Sequence, residues 1–305
     1  MKTRLFLAAA GFSLGLSHPA IAADPTDPAG FEPHDKGVVV STDRPEPRKL
    51  GKEERRAQRK IVRDLSREVI GRQNQNRKVS RFYSPLCLAV AGVKKRHVAD
   101  FSDRILDNAE KAGIALAGDN CKPNAMVIFT GHSRNELREL RRKNPTVFND
   151  LGPDSFRKLV RSRDEAFAYR GTVLTNIHGV PFGIETLMGP TDQGSTYVGL
   201  GMQMPPRFGV SGAVVLIDRD ATEGMTALQL ADYATLRLLA PTDEIKDEIP
   251  GAPPTIMSLF RDTQKAPRQL TEFDLAYLNS VYTIRPPHLV PNAIHSSVMD
   301  QIVRP

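Results

Sequence analysis

The first half of the chain alternates helical and strand-like hydrophobic patterns. Residues 52–70 contain no Gly or Pro, and in their second half apolar residues return at three- and four-residue steps, which predicts a helix with one apolar face. Residues 95–112 show the same spacing over their whole length and predict an amphipathic helix. Between them lies a short apolar segment at 85–90, and residues 125–129 form a continuous apolar run that predicts a strand buried on both faces.

The second half carries stronger signals. Residues 166–176 alternate as expected for a strand, and the apolar run 213–218 predicts another. Residues 226–240 then predict a helix with a broad apolar face. Further helices are predicted at 133–143, 153–160, 255–261 and 272–281. Thr271 is the expected N-cap of the last of them.

These elements predict an α+β protein, with a mixed sheet and packed helices in a globular domain over residues 82–286. Several prolines after residue 285 favour an extended tail over 287–305. The segment 177–208 is rich in Gly and Pro and has little periodicity. Such a long irregular insertion is typical of a functional loop or a disordered excursion, and these two alternatives stay open.

The N-terminus has the three parts of an export signal. Lys2 and Arg4 precede an uncharged apolar run at 5–16, and Ala20-Ile21-Ala22 supplies the small residues around a cleavage site. That run is shorter than the roughly 20 residues that a membrane-spanning helix needs. We therefore expect residues 1–22 to be a cleaved signal peptide and the protein to be periplasmic or extracellular, with no transmembrane segment in the mature chain.

The formal charge of +7 is concentrated in one segment. Residues 23–81 are expected to form a Pro-rich leader followed by a basic helical arm, and to be partly disordered. Within them, residues 44–81 hold 14 Lys/Arg against 5 Asp/Glu. Because residues 44–81 contain no aromatic residue, base stacking and nucleic-acid binding are not supported. An anionic surface is the alternative to a merely solvated helix, and the candidate contacts are Arg55, Arg56, Arg59, Lys60 and Arg63.

The chain has two cysteines, Cys87 and Cys121. An even pair in an exported protein predicts a disulfide, and the alternative is two buried free thiols. No His or Cys neighbours either residue at ligand spacing, so no metal site and no cofactor are predicted.

Three consecutive pieces of the C-terminal half carry a family resemblance. They are the strand 213–218 with its helix 226–240, the segment 253–260, and a Leu-Thr-x-x-Asp-x-x-x-Leu-x-x-x-Tyr pattern made by Leu270, Thr271, Asp274, Leu278 and Tyr282. This order resembles the back half of zincin-like secreted proteins, in which a strand precedes the metal-binding helix. It also resembles an uncharacterised group of exported alphaproteobacterial proteins.

The chain departs from zincins at the residues that matter for catalysis. Zincins hold zinc with His-Glu-x-x-His on one helix face, and the Glu acts as the general base. The corresponding helix here has Leu230-Ala231-Asp232-Tyr233-Ala234, and the motif occurs nowhere in the sequence. The resemblance therefore implies a non-catalytic relative.

Asp218, Asp220, Asp232 and Tyr233 are the remaining candidates for catalysis, because they lie on or just before this helix. Carboxylates can act as general acid and base if their environments push their pKa values apart. The structural alternatives are that Asp220 and Glu223 favour the positive end of the helix dipole, and that Asp232 pairs with Arg237 or caps a neighbouring strand.

Three hypotheses follow for the function. The first is a non-catalytic zincin-like scaffold or interaction protein of the cell envelope, with the insertion 177–208 as its contact surface. The second is an envelope hydrolase that uses the Asp cluster. The third is a binder of anionic lipid or polysaccharide through residues 44–81. The partner expected under the first hypothesis is an envelope protein, and under the third it is an anionic surface.

Overall fold

The computed structural model describes residues 51–71, 74–75, 78–131, 134–143, 152–161, 164–176 and 207–303. The predicted signal peptide 1–22 and the leader up to residue 50 lie outside these residues. So does the predicted insertion 177–208, except for its last two residues, which begin a strand.

A four-stranded mixed sheet is the centre of the fold, and it confirms the predicted α+β class. The strands are β1 (Leu88–Ala91), β2 (Ala125–Thr130), β3 (Ala166–Thr175) and β4 (Arg207–Asp218). Their order across the sheet is β1-β2-β4-β3. Strands β1, β2 and β4 are parallel to one another, and β3 runs antiparallel to β4.

Helices surround this sheet, and most begin and end close to where the periodicity predicts. In chain order they are α1 (Lys52–Ile70), α2 (Lys95–Lys111), α3 (Arg134–Lys143), α4 (Pro153–Arg161), α5 (Ala227–Leu239), α6 (Glu272–Thr283) and α7 (Pro291–Ile302). The predicted helix at 255–261 is instead a short 3₁₀ turn, Ile256–Ser258.

The two faces of the sheet bury different clusters, as the alternation along β2 shows. Val127 and Phe129 point into the main core, and the Phe129 ring meets Phe101 of α2 edge-on at 5.4 Å between centroids. Met126 and Ile128 point to the other face, where they pack with Phe156 of α4. The main core also contains α5, whose residues 229–239 are all buried.

The basic helix α1 is part of the compact unit that spans Lys49–Pro305. Its apolar face, formed by Val62, Leu65, Val69 and Ile70, is buried in the main core. The sequence placed the start of the globular domain at residue 82 and left open whether the basic arm packs on it; the structure places the apolar face of α1 in the same core.

The C-terminal segment differs from the predicted extended tail over 287–305, because α7 occupies Pro291–Ile302 and packs against α1 and α6. Pro291 stands in the first turn of the helix, where a missing N–H costs nothing. Ile294 and Val298, one turn apart, are fully buried, and this burial holds the helix in place.

A disulfide joins Cys87 to Cys121, as predicted, with the two Cα atoms 6.0 Å apart. It links the residue before β1 to the loop before β2. Asn124 reinforces the link, since its Oδ1 accepts the Cys87 N–H at 2.9 Å. Within the described part of the chain, no helix is both long and apolar enough to cross a membrane.

Candidate functional site

Helix α5 carries two of the four catalytic candidates and starts at a well-formed cap. The Thr226 hydroxyl accepts the Gln229 N–H at 3.1 Å, and the Gln229 side chain accepts the Thr226 N–H at 3.0 Å. This capping box satisfies two otherwise unpaired N–H groups and fixes where the helix begins. The positions of Asp232 and Tyr233 follow from that start.

Asp232 is completely buried and held by four donors. Arg104 of α2 grips it with both arms of its guanidinium, Nε to Oδ1 at 2.6 Å and Nη2 to Oδ2 at 2.8 Å. The Asn108 side chain donates to Oδ1 at 2.8 Å and the Leu270 N–H donates to Oδ2 at 2.7 Å. The hydrogen bond to Asp232 is also the main cause of the raised pKa of Arg104.

This arrangement makes Asp232 a fixed counter-ion that joins three segments. Arg104 and Asn108 are one turn apart on α2, and Asn108 also donates to Thr235 of α5 at 3.1 Å. Leu270 brings in the residues just before α6. The partner of Asp232 is therefore Arg104, and the Arg237 pairing considered from the sequence does not form.

Asp218 and Asp220 lie in different surroundings from Asp232. Asp218 ends β4, and its Oδ1 accepts the Asp220 N–H at 3.1 Å. Asp220 is exposed in a 3₁₀ turn, Asp220–Thr222. The hydrogen bonds of Asp232 go to neither of them, so the structure does not bring the predicted acids together as a hydrogen-bonded pair.

Asp274 is a second fully buried acid, and sequence reasoning used it only as part of the family pattern. It accepts hydrogen bonds from the Thr255 hydroxyl at 2.5 Å, the Ile256 N–H at 2.8 Å and the Thr271 N–H at 2.9 Å. Burial raises the pKa of Asp274 to about 6, while these hydrogen bonds oppose the rise. Asp274 thereby closes the cap of α6 and anchors the preceding loop.

The rest of the family pattern also has a structural role. Leu278 is buried in the main core, and the Tyr282 hydroxyl donates to the Leu239 carbonyl at 2.9 Å, at the end of α5. The pattern therefore ties α6 to α5 and to the loop between them. Its residues therefore hold the core together.

Tyr233, the fourth catalytic candidate, follows Asp232 on α5 and lies beside Arg237. Its ring meets Phe260 edge-on at 4.9 Å, and the Arg237 guanidinium lies 5.8 Å from the ring centroid. Burial raises the pKa of Tyr233 to about 12. Arg237 is 4% exposed, and among the described residues its Nε and Nη1 atoms have no hydrogen-bond acceptor.

The candidate anion-binding residues lie on α1. Arg56, Lys60 and Arg63 are exposed, whereas Arg55 and Arg59 are half-buried. Arg59 pairs with Asp300 of α7 at 2.8 Å, and Lys60 pairs with Asp64 at 3.2 Å. The structure thus brings part of the predicted set together on one side of one helix.

Among the described residues, no cluster of three or more His, Cys, Asp or Glu side chains could hold a metal ion. Comparison with protein-family models, with curated proteins and with solved structures finds no match. The zincin-like relationship therefore stays a hypothesis from the sequence.

Proposed function

We propose that this chain is an exported, non-catalytic zincin-like scaffold or interaction protein of the cell envelope. The observation that supports the proposal best is the engagement of Asp232, the acid on the helix where a zincin holds its metal. A buried ion pair there stabilises the packing of α2 on α5.

A general acid or base must exchange a proton with the substrate or with water. Asp232 has no exposed surface, and both of its oxygens already accept two hydrogen bonds each. A substrate could reach Asp232 only by displacing Arg104, whose side chain is 25% exposed, and by breaking hydrogen bonds to the fully buried carboxylate, each of which contributes about 1.5–3 kcal/mol. This cost argues against the hydrolase hypothesis for Asp232, and Asp220 alone lacks a partner acid.

The test combines metal analysis with peptidase and esterase assays on the purified full chain, its Asp232→Asn variant and the matched Asp220→Asn variant. We expect well under one equivalent of transition metal and no hydrolysis by any of the three. Near one equivalent of zinc, or hydrolysis that a folded Asp232→Asn variant loses, would overturn the proposal.

A second candidate function is binding to an anionic surface through α1. Arg56, Lys60, Arg63 and Arg67 follow one another at steps of four, three and four residues, and all four are exposed. Such residues share one face of a helix. Because the opposite face is docked in the core, this basic face is presented on a rigid element.

Vesicles that contain an anionic phospholipid test this candidate. The variant R56Q/K60Q/R63Q should bind about 100-fold more weakly at low salt, since each basic residue contributes about 1 kcal/mol near such a surface. K122Q/R268Q/R285Q removes the same charge from exposed positions elsewhere. If both variants lose the same affinity, net charge rather than α1 is responsible and the candidate fails.

A further inference from the structure

The basic face of α1, formed by Arg56, Lys60, Arg63 and Arg67, is a single row of side chains along the helix. Because a helix rises by about 1.5 Å per residue, the row extends over about 16 Å of the helix axis. Lys60 and Arg67 share Asp64, at 3.2 and 4.0 Å. Within the described part of the chain, Arg56 and Arg63 take part in no ion pair. Two of the four cations are therefore available to a ligand, and the other two have one exposed carboxylate between them.

Carboxylates border this basic face on both sides. Each residue of a helix turns by about 100°, so Asp64 and Arg59 lie on opposite sides of Arg63. Arg59 brings Asp300 of α7 to its own side, at 2.8 Å. A flat anionic surface would meet these carboxylates together with the row, and like charges repel. A single anionic chain that follows the row avoids them.

No exposed apolar or aromatic side chain accompanies the basic face. The apolar face of α1 is buried in the main core, and the exposed large hydrophobic residues of the described chain lie on other segments: Leu116, Leu228 and Leu275. A helix that binds lipid inserts its apolar face, a protein interface needs a desolvated apolar centre, and single-stranded nucleic acid stacks its bases on aromatic rings. These requirements favour a hydrophilic ligand that carries negative charges at short, regular intervals.

We propose that the basic face of α1 binds a linear anionic polysaccharide of the polyuronate class, which lies along the helix axis with its carboxylates on the four basic side chains. The proposal rests on the second candidate function, binding of an anionic surface through α1, and names the class of ligand for that site. Lysine and arginine suit such a ligand, because their charge-assisted hydrogen bonds to carboxylates are short and strong. The docked helix also holds the four donors in one row before the ligand arrives, which lowers the cost of ordering on binding.

Calorimetric titration of the full chain tests the class of ligand with three probes at one ionic strength: polygalacturonate, monomeric galacturonate, and vesicles of phosphatidylglycerol and phosphatidylcholine. We expect polygalacturonate to bind at least about tenfold more tightly, per anionic group, than the vesicles. The monomer, which reaches one cation at a time, should not bind detectably. Vesicle binding that equals or exceeds polygalacturonate binding would overturn the polysaccharide and leave the second candidate function standing. No binding of polygalacturonate or vesicles would overturn both.

Two matched double variants test whether the polysaccharide lies along the helix. R56Q/K60Q and R63Q/R67Q each remove one arginine without an ion pair and one of the two partners of Asp64. A chain that follows the row contacts both halves, so each variant should bind polygalacturonate about tenfold more weakly. A loss in one variant alone would overturn the orientation along the axis.

The double variant K122Q/R268Q is the control for net charge, because it removes two positive charges from exposed positions outside α1. It should bind polygalacturonate within about twofold of the unaltered chain, since salt screens exposed charges that lie away from the ligand. A loss equal to that of the α1 variants would show that overall charge binds the polymer, and the proposed site would be wrong.

Discussion

At the scale of single residues, long-range pairing decides what each polar side chain does. Asp232 and Arg104 are 128 positions apart in the sequence, and Leu270 is 38 positions from Asp232. Local spacing offered Arg237 as the partner, but neighbouring helices determine which face of α5 meets α2. The sequence could therefore locate the acid on its helix but not predict its partner.

The same burial makes Asp232 sensitive to substitution. Asp232→Asn keeps the side-chain volume but leaves Arg104 without its counter-ion. It also replaces one carboxylate oxygen by an NH2 group, which would face the N–H donors that now bind that oxygen. We expect a loss of about 3 kcal/mol in the free energy of unfolding, measured by urea denaturation. Asp220→Asn, which changes an exposed side chain in the same way, should stay within about 0.5 kcal/mol of the unaltered protein.

Equal losses in these two variants would contradict the structural role of Asp232. They would show that the pair with Arg104 contributes no more than an exposed carboxylate does. A large loss in Asp232→Asn alone is the outcome that the geometry supports.

At the scale of elements, strong periodicity was a reliable guide. The predicted helix 272–281 is observed as Glu272–Thr283, with Thr271 as its cap. The continuous apolar runs 125–129 and 213–218 lie in β2 and in the second half of β4. Both strands are covered on both faces, and such strands need apolar residues at every position. The signal for α7 was present in Ile294 and Val298, but the neighbouring prolines concealed it.

The interface between α1 and α7 contains a buried histidine. His295 is 3% exposed, and no residue in the described part of the chain forms a hydrogen bond with its Nδ1. Burial, together with Arg67 and Arg63 of α1, lowers the pKa of His295 to about 4. The Arg59–Asp300 pair crosses the same interface.

We expect acid to weaken this interface through His295. Between pH 6.5 and 4 His295 is protonated in the unfolded chain but stays neutral in the folded chain. The contribution of His295 to the free energy of unfolding therefore falls as the pH drops through this range. At pH 4.5 His295 alone should contribute a loss of about 2 to 3 kcal/mol relative to pH 7. Asp274, whose pKa is raised to about 6, acts in the opposite direction, so the histidine part is the difference in pH dependence between the unaltered protein and His295→Leu. Urea denaturation at both pH values measures it.

His288→Leu is the matched control, since His288 is exposed in the segment just before α7. It should keep the pH dependence of the unaltered protein. If His295→Leu also keeps it, protonation of His295 is not coupled to unfolding, and the α1–α7 interface is not the acid-sensitive part of the fold.

The disulfide joins two elements that the hydrogen bonds of the sheet already connect. Because the cysteines are 34 positions apart, the bridge restricts the unfolded chain and should stabilise the fold by about 3–4 kcal/mol. We expect the Cys87→Ala/Cys121→Ala double variant to lose this amount in urea denaturation while keeping its circular dichroism. No change on removal would show that the bridge does not restrain the unfolded state.

At the scale of the whole molecule, the sequence predicted a mixed sheet with helices but not the order of the strands. Strand order depends on contacts between distant segments, such as Ala125 of β2 beside Ala213 of β4. It also determines that α5 is central, in contact with α2, α6 and the sheet.

The position of α1 leads to a prediction about the boundaries of the fold. Val62, Leu65, Val69 and Ile70 are each at most 3% exposed. Burying four such side chains contributes about 6–12 kcal/mol, which is comparable with the whole stability of about 5–15 kcal/mol of a typical domain. We expect a chain of Lys49–Pro305 to unfold cooperatively in urea. A chain of 82–305, which begins at the domain start that the sequence indicated, should lack a cooperative transition.

The single substitution Leu65→Ala should cost about 2–5 kcal/mol in the longer chain, because it leaves a cavity between α1 and the core. A cooperative 82–305 chain would show that α1 is an appended arm, and the charged stripe on α1 would then be free to move independently of the body.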